Sequence, residues 1–258
     1  MWYNKYINEE ELTKLKIGIT ERGDPSLDFS WVEKVDTVDG VILITKNLTD
    51  KVIECVKPNL EKFIFHITCT GYGGTVVEPN IPHFRHQLEQ AKKLIDLGVP
   101  VERVVIRVDP IIPTDKGMLT AGKVFLNAHQ MGFKRYRISV MDAYPHVRER
   151  MRAIGIEPPY GDNFTAPAEM FENVDSVVRQ LKKIYPDCIF ESCAEGKLTE
   201  TEKTGCVSEK DLDLLGISHD NVDNAGYQRK GCLCCSAKTE LLSEKKQCPY
   251  KCLYCYWR

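Results

Sequence analysis

The sequence predicts an α/β fold, namely a partial (β/α)6 barrel of the TIM type followed by a cysteine-rich tail. Six short apolar runs alternate with stretches of helical periodicity, which is typical of a parallel sheet with right-handed crossovers. The chain has 258 residues, 43% hydrophobic and 28% charged, a length and composition typical of one large folded unit. Because six strands are too few to close an eight-stranded barrel, we expect the barrel to be open.

Local signals define the elements of the first third of the chain. Asn8 and Glu11 have the spacing of a helix capping box, and the run over 40–45 is continuously apolar, as in a strand buried on both faces. His66, within the third apolar run, is expected in the core. The predicted elements are a helix over 9–15, a strand over 16–20, a helical stretch near 27–36, a strand over 40–45, a helix over 49–57 and a strand over 63–68.

The second part of the chain begins with a loop over 69–82 that contains three glycines and lacks the Gly-Lys-Ser/Thr ending of a phosphate-binding loop. Gly132 has the position of a left-handed helix C-cap. The remaining predicted elements are helices over 83–97, 119–131 and 167–184 and strands over 104–108, 136–140 and 188–192. We therefore divide the chain into a barrel over 1–230 and a cysteine-rich tail over 231–258 that packs at the barrel mouth.

Charge and hydropathy exclude some classes of function. A formal net charge of -2 gives no general attraction for nucleic acid, although the basic runs at 134–137 and 148–152 are candidate local patches. The first residues lack the plan of a signal peptide, and no apolar run is long enough to span a membrane. We expect a cytoplasmic protein, in which 11 cysteines are metal ligands or thiols more often than disulfides.

The last residues contain the most specific motif of the sequence, Cys248, Cys252 and Cys255 in a C-x3-C-x2-C spacing. Chance supplies such a triple on the order of 0.02 times in a chain of this composition. Three thiolates on a short turn can hold a 4Fe-4S cluster and leave its fourth iron without a protein ligand. An open iron can bind a cofactor or substrate directly. The alternatives are a zinc knuckle, a structural cluster or a disulfide.

Polar residues follow the predicted strands and should share the carboxyl edge of the sheet, where barrel enzymes have their active sites. Lys46 and Asn47 follow the second strand, and Arg107 and Asp109 lie at the end of the fourth. Lys46 and Arg107 could bind carboxylates of a cofactor or substrate, and Asp109 an amino or hydroxyl group. The alternative is that Arg107 and Asp109 pair with each other.

A second group of cysteines suggests another metal site. Cys193 ends the sixth strand, Cys206 lies in the loop that follows, and Cys232 and Cys234 precede the terminal motif. These four could hold a second iron-sulfur cluster or a structural zinc ion that ties the tail to the barrel. Cys55, Cys69 and Cys188 lie in or beside predicted helices and strands and are expected to be small core residues.

The C-x3-C-x-aromatic-C form of the terminal motif, with Tyr254 as the aromatic residue, resembles the signature of radical S-adenosylmethionine enzymes. Over most of its length the chain also resembles the family called domain of unknown function 1848. That resemblance covers residues 44–47, 70–73, 78–82, 107–111, 192–195, 232–234 and 248–256. The family looks like a radical S-adenosylmethionine barrel whose cluster motif lies at the C-terminus instead of after the first strand, which implies either a permuted barrel or a tail folded back over the mouth.

The resemblance implies a 4Fe-4S cluster on Cys248, Cys252 and Cys255, with S-adenosylmethionine on the open iron and Tyr254 beside the cofactor. A flavodoxin or ferredoxin would supply the electron. A weaker similarity to the DNA photoproduct lyase group, through residues 44–47, 78–79 and 111–113, ranks a nucleic-acid base or nucleoside first among unknown substrates. The alternatives are a non-catalytic zinc or iron-sulfur module and an electron carrier.

Overall fold

The computed structural model describes residues 15–218, 233–234, 237–243 and 247–257. Eight parallel strands form one sheet in the order β7-β6-β5-β4-β3-β2-β1-β8. The strands are β1 Ile17–Ile19, β2 Gly40–Thr45, β3 Phe63–Thr68, β4 Val104–Ile111, β5 Arg135–Val140, β6 Ile189–Cys193, β7 Glu202–Thr204 and β8 Lys238–Glu240. The predicted α/β partial barrel is thus confirmed.

Helices connect most of these strands. The α-helices are α1 Asp50–Val56, α2 Phe84–Asp96, α3 Asp115–Gln130, α4 Pro145–Ala153, α5 Ala168–Ile184 and α6 Glu209–Leu215, with 3₁₀ turns at Val32–Thr37, Lys57–Lys62 and Val101–Arg103. Side chains cap the first turns of α1, α2, α3 and α6. Thr49 and Thr114 each accept a hydrogen bond from a backbone N–H in the first turn, and Ser208 forms a capping box with Asp211.

The core has two layers because successive strand residues face opposite sides of the sheet. On β3, Phe63, Phe65 and Ile67 belong to a large apolar cluster that includes buried residues of α1, α2, α3 and α5. Ile64 belongs to a smaller cluster on the other face, with residues of β1, β2 and β4 and with Cys206 and Cys234. The concave side of the sheet is therefore itself a packed interior.

The sheet curls so that chain segments next to its two edge strands meet. Strands β7 and β8 lie at opposite ends of the strand order. Nevertheless the backbone N–H of Cys206, two residues after β7, donates to Sγ of Cys234, four residues before β8, at 3.1 Å. Gly205 lies so close to this segment that a Cβ atom on it would be 2.5 Å from the carbonyl oxygen of Leu233. The contact spans the opening of the partial barrel.

All six predicted strands are present, but the strands β7 and β8 and the helices α4 and α6 were not predicted. Strands β7 and β8 are short and polar, and α4 has a charged sequence whose buried residues are Val147 and Met151. Helix α3 begins at Asp115, four residues earlier than predicted. The prediction started later because Gly117 weakens the helical pattern. In the structure this glycine packs against the carbonyl group of Ile112, where a side chain would not fit. The predicted helix over 9–15 lies, except for Leu15, outside the described residues.

No helix within the described ranges is long and apolar enough to cross a membrane.

Candidate metal and cofactor site at the sheet edge

The C-terminal segment returns to the carboxyl ends of the first strands. The hydroxyl groups of Tyr250 and Ser26, which follows β1, are 2.6 Å apart. In the loop after β3, Asn80 donates to the carbonyl of Pro249 at 2.7 Å, and the carbonyl of Val77 accepts from the Leu253 backbone at 3.0 Å. These contacts place the terminal cysteine motif at the edge of the sheet where barrel enzymes carry their active sites.

Tyr254 is the central anchor of this segment. Its hydroxyl group accepts a hydrogen bond from Nζ of Lys46 at 2.6 Å and donates to the carboxylate of Glu78. Lys46 also pairs with Glu78 at 2.9 Å, and Thr70 donates to the other oxygen of that carboxylate at 2.8 Å. Residues after β2 and β3 thus hold the aromatic residue of the motif through one buried polar network.

Electrostatics favour a charged Lys46 and Glu78 in this network. Burial raises the pKa of Glu78. Lys46 and the hydrogen bonds from Tyr254 and Thr70 lower this pKa by more than burial raises it, so the net shift is downward. Burial lowers the pKa of Lys46, whereas Glu78 and Cys252 raise it, and the net shift is upward. Burial beside Glu78 raises the pKa of Tyr254 well above its ordinary value, so the phenol stays protonated.

The three terminal cysteines differ in exposure. Cys248 is exposed, Cys252 is buried and Cys255 is half-buried. Burial raises the pKa of the Cys252 thiol to about 12, an effect that Lys46 opposes. Their sulfur atoms do not all lie within 4.8 Å of one another. Among the described residues, two other groups of potential metal ligands are that compact.

The donor set of the terminal loop suits a cubane cluster. Each cysteine of such a cluster binds a different iron, so its ligands lie farther apart than the ligands of a single ion. Arg150 of α4 donates to the backbone carbonyl groups of Cys252 and Cys255, and it therefore holds the loop without occupying a thiol. Lys251, between the first two cysteines, has a left-handed backbone (φ 53°), which marks the sharp turn of the loop.

The other predicted residues of the mouth have partners within the protein. Arg107 forms an ion pair with Asp109, which also accepts a hydrogen bond from Ser139. Burial alone would raise the pKa of Asp109, but Arg107 and Ser139 lower it to about 2. The pairing of Arg107 with Asp109 is the alternative that the sequence left open. Asn47 accepts a hydrogen bond from Gln87 at 3.4 Å and lies beside the hydroxyl group of Tyr250 in the terminal segment.

The second predicted group is brought together on the interior side of the sheet. Cys193, Cys206 and Cys234 have sulfur atoms within 4.8 Å of one another, with 3.9 Å between Cys206 and Cys193. Hydrogen bonds with Cys206 and Cys234, together with burial, raise the pKa of Cys193. Three such thiols could hold a metal ion or cluster. Cys232, the fourth predicted ligand, lies outside the described residues.

Positive side chains surround this interior group. Burial lowers the pKa of Arg107, Arg137 and Lys238, but the carboxylates of Asp109, Glu191 and Glu21, in that order, raise it, and the net shift of each pKa is upward. Glu21 forms an ion pair with Lys238.

The basic run at 134–137 forms no surface patch at Arg135 and Arg137, which are both buried. Glu191 pairs with Arg135 and with Arg137 at 2.9 Å, and Asp211 pairs with Arg135 at 2.8 Å. In the second basic run, Arg148 donates to the Ala143 carbonyl and Arg152 pairs with Asp162. These arginines support the fold, and the sequence did not predict the buried ion pairs.

Glu78 and Arg150 are the residues of the mouth that the sequence did not assign to it, whereas Thr70, which follows β3, was expected there. Glu78 and Thr70 fall in the glycine-containing loop after β3, and they did appear among the segments that carry the family resemblance. Arg150 appeared as a candidate nucleic-acid contact. Glu78 lies on a loop, where the sequence has no periodic pattern that would indicate its role. Its contact with Tyr254 forms only when the tail folds back over the sheet edge.

A second compact group comprises His129, Asp187 and Cys188. Asp187 is exposed and pairs with Lys134 at 3.0 Å, and His129 packs against Tyr185 with ring centroids 3.7 Å apart. We assign it no metal.

Fold and site together define a partial α/β barrel with a cysteine-rich segment at the carboxyl edge of its sheet. A family model, domain of unknown function (DUF1848), matches residues 12–257. The chain therefore belongs to this family.

The comparisons with solved structures and with curated proteins give no indication of function. Among solved structures, a type I 3-dehydroquinate dehydratase (aroD) from Clostridium difficile with covalently modified comenic acid is similar at 15% identity and a TM-score of 0.32. The match covers 79% of this chain and 91% of that one. No curated protein matches the chain.

Proposed function

We propose that the protein is a radical S-adenosylmethionine enzyme in which Cys248, Cys252 and Cys255 hold a 4Fe-4S cluster. When bound and reduced, such a cluster cleaves S-adenosylmethionine to methionine and a 5′-deoxyadenosyl radical, which abstracts hydrogen from a substrate. The three thiols provide one ligand fewer than the cluster needs, which leaves one iron for the cofactor.

The observation that carries the proposal is the position of the cysteine loop. The loop follows β8, a parallel strand that pairs with β1 in register Ile17 to Lys238. In the sheet, β8 is the edge strand next to β1 and therefore takes the place of a first strand. The cysteine loop, which follows β8, thus lies where the loop after a first strand would lie. This arrangement supports a permuted barrel, and it places the motif over the same edge as the loops after β1, β2 and β3.

The side chains of the mouth have separate roles in this proposal. Lys46 and Glu78 position Tyr254, which stays protonated and would flank the cofactor. Asn47 lies beside Tyr250 of the same loop. Arg107 and Asp109, whose side chains are 14% and 24% exposed, present opposite charges that suit the carboxylate and amino groups of S-adenosylmethionine once their mutual pairing is exchanged.

A small substrate is favoured over a nucleic-acid polymer. Arg135 and Arg137 are buried in ion pairs, and Arg148, Arg150 and Arg152 each pair with a group of the protein, which reduces the cationic surface that either basic run presents. A nucleoside or another small metabolite would fit the polar mouth without such a surface. We place a flavodoxin or ferredoxin as reductant on the side where Cys248 is exposed, in the cytoplasm.

Formation of 5′-deoxyadenosine tests the proposal. Anaerobically reconstituted protein is given dithionite and S-adenosylmethionine, and the product is quantified by chromatography. We expect 5′-deoxyadenosine from the wild-type protein, background levels from Cys252→Ala, and wild-type levels from Cys55→Ala, a half-buried cysteine of α1 that serves as the matched control.

Two results would favour the alternative functions. Zinc without iron or sulfide in the anaerobic protein would indicate a non-catalytic module. A reducible cluster that forms no 5′-deoxyadenosine, even with a panel of nucleosides present, would indicate an electron carrier.

A further inference from the structure

We infer that Cys193, Cys206 and Cys234 bind a single zinc-class ion that joins the two ends of the open sheet, separately from the terminal cluster. A site of this kind is structural, and its ligand is a thiophilic divalent cation. The inference does not depend on the reaction proposed for the mouth.

The spacing of the sulfur atoms favours one ion over a second cluster. A tetrahedral site with metal–sulfur bonds of about 2.3 Å sets its sulfur ligands about 3.8 Å apart. The Cys206 and Cys193 sulfurs are 3.9 Å apart, and all three lie within 4.8 Å of one another. In a cubane the cysteines bind different irons and stand farther apart.

The place of the group in the fold indicates what the ion does. Cys193 is the last residue of β6, Cys206 follows the edge strand β7, and Cys234 precedes the opposite edge strand β8. Because β7 and β8 do not pair with each other in the described sheet, the segments at Cys206 and Cys234 bridge the gap. One ion would join the two edges of the open sheet through its bonds to Cys206 and Cys234.

Cationic side chains lie around the interior group. Arg107, Arg137 and Lys238 lie within electrostatic range of Cys206. Arg137 also donates to the carbonyl of Gly205 at 2.6 Å, which fixes the backbone next to the ligand.

Cobalt binding to the full chain tests the inference. The terminal cysteines are first replaced by serine in a Cys248→Ser, Cys252→Ser, Cys255→Ser variant, so that only other sites remain. Titration with Co²⁺ should give thiolate charge-transfer absorption that saturates at one equivalent and is displaced by Zn²⁺. Adding Cys206→Ser or Cys193→Ser should reduce that absorption at least twofold and weaken Co²⁺ binding at least tenfold, whereas adding Cys55→Ser should leave both unchanged.

Three results would overturn the inference. They are absence of thiolate–cobalt absorption in the folded triple variant, persistence of the full absorption after Cys206→Ser, and a brown iron- and sulfide-containing chromophore at this site. If Cys206→Ser fails to fold by circular dichroism, the Cys193→Ser variant and the triple variant still decide the question, because the latter leaves all three interior ligands unchanged.

Discussion

The two cysteine groups of this protein differ in spacing, exposure and neighbours. The terminal group lies at the sheet edge, with one exposed thiol and sulfurs that do not all lie within 4.8 Å, whereas the interior group is compact. The terminal loop is held by contacts to its backbone and to Tyr254, so its thiols remain available. The interior thiols contact one another and link strand edges. This difference is the basis of the two proposals, a catalytic cluster at the sheet edge and a structural ion in the interior.

The largest effect on the interior side of this comparison is expected from Glu191→Gln. Glu191 is the shared partner of the buried Arg135 and Arg137, and loss of a buried ionic partner costs about 3–5 kcal/mol. The free energy of unfolding at pH 7, measured by urea denaturation, should fall by about that amount. Glu172→Gln, which removes a partner of the half-exposed Arg179, should change it by less than about 1 kcal/mol.

The effect of Glu191→Gln should also depend on pH. Burial raises the pKa of Glu191, but Arg137 and Arg135 lower it below its ordinary value of 4.5. A depressed carboxyl pKa stabilises the folded state fully above the ordinary value, and this contribution is lost as the pH falls through the folded-state value. The difference between wild type and variant should therefore shrink on acidification below about pH 4.5; a constant difference would mean that Glu191 acts through packing alone.

A smaller effect, confined to the mouth, is expected from Glu78→Gln. The substitution removes the charge that Lys46 faces and weakens the acceptor of Tyr254, so the cysteine loop should shift. Misplacement of reacting groups by about 1 Å lowers rates roughly 100-fold, and we expect 5′-deoxyadenosine formation to fall by that factor. Zinc content should not change.

The matched control for Glu78→Gln is Glu54→Gln, which removes an exposed partner of Lys57. It should leave both activity and metal content at wild-type values. Full activity in Glu78→Gln would show that the network around Tyr254 does not position the loop.

The sequence predicted the repeating part of the fold and singled out the cysteines of both candidate metal sites. Runs such as 40–45 and 63–68 are apolar throughout because they are buried on both faces, and that pattern needs no knowledge of distant contacts. The strands β7 and β8 were missed because three polar residues at a sheet edge have no pattern, and the charged α4 resembles a loop.

Long-range pairing accounts for what the sequence did not predict at the site. Cys193 and Cys206 were expected together with Cys234, although the curl that joins them depends on the whole sheet. Lys46 was expected to contact a ligand. In the structure it contacts Tyr254, which the returning tail brings to it, and Glu78 of the loop after β3, so Lys46 has partners within the protein. Arg135 and Arg137 were candidates for surface contacts because the sequence does not show that Glu191 and Asp211 face them.

Iron, sulfide and zinc counted in one set of anaerobic preparations test the division between the two cysteine groups most directly. We predict about four irons, four sulfides and one zinc per wild-type chain, loss of iron and sulfide alone in Cys252→Ser, and loss of zinc alone in Cys206→Ser. If Cys252→Ser kept its iron and sulfide, or if Cys206→Ser lost the cluster while still folded and kept its zinc, the assignment of the two sites would be contradicted.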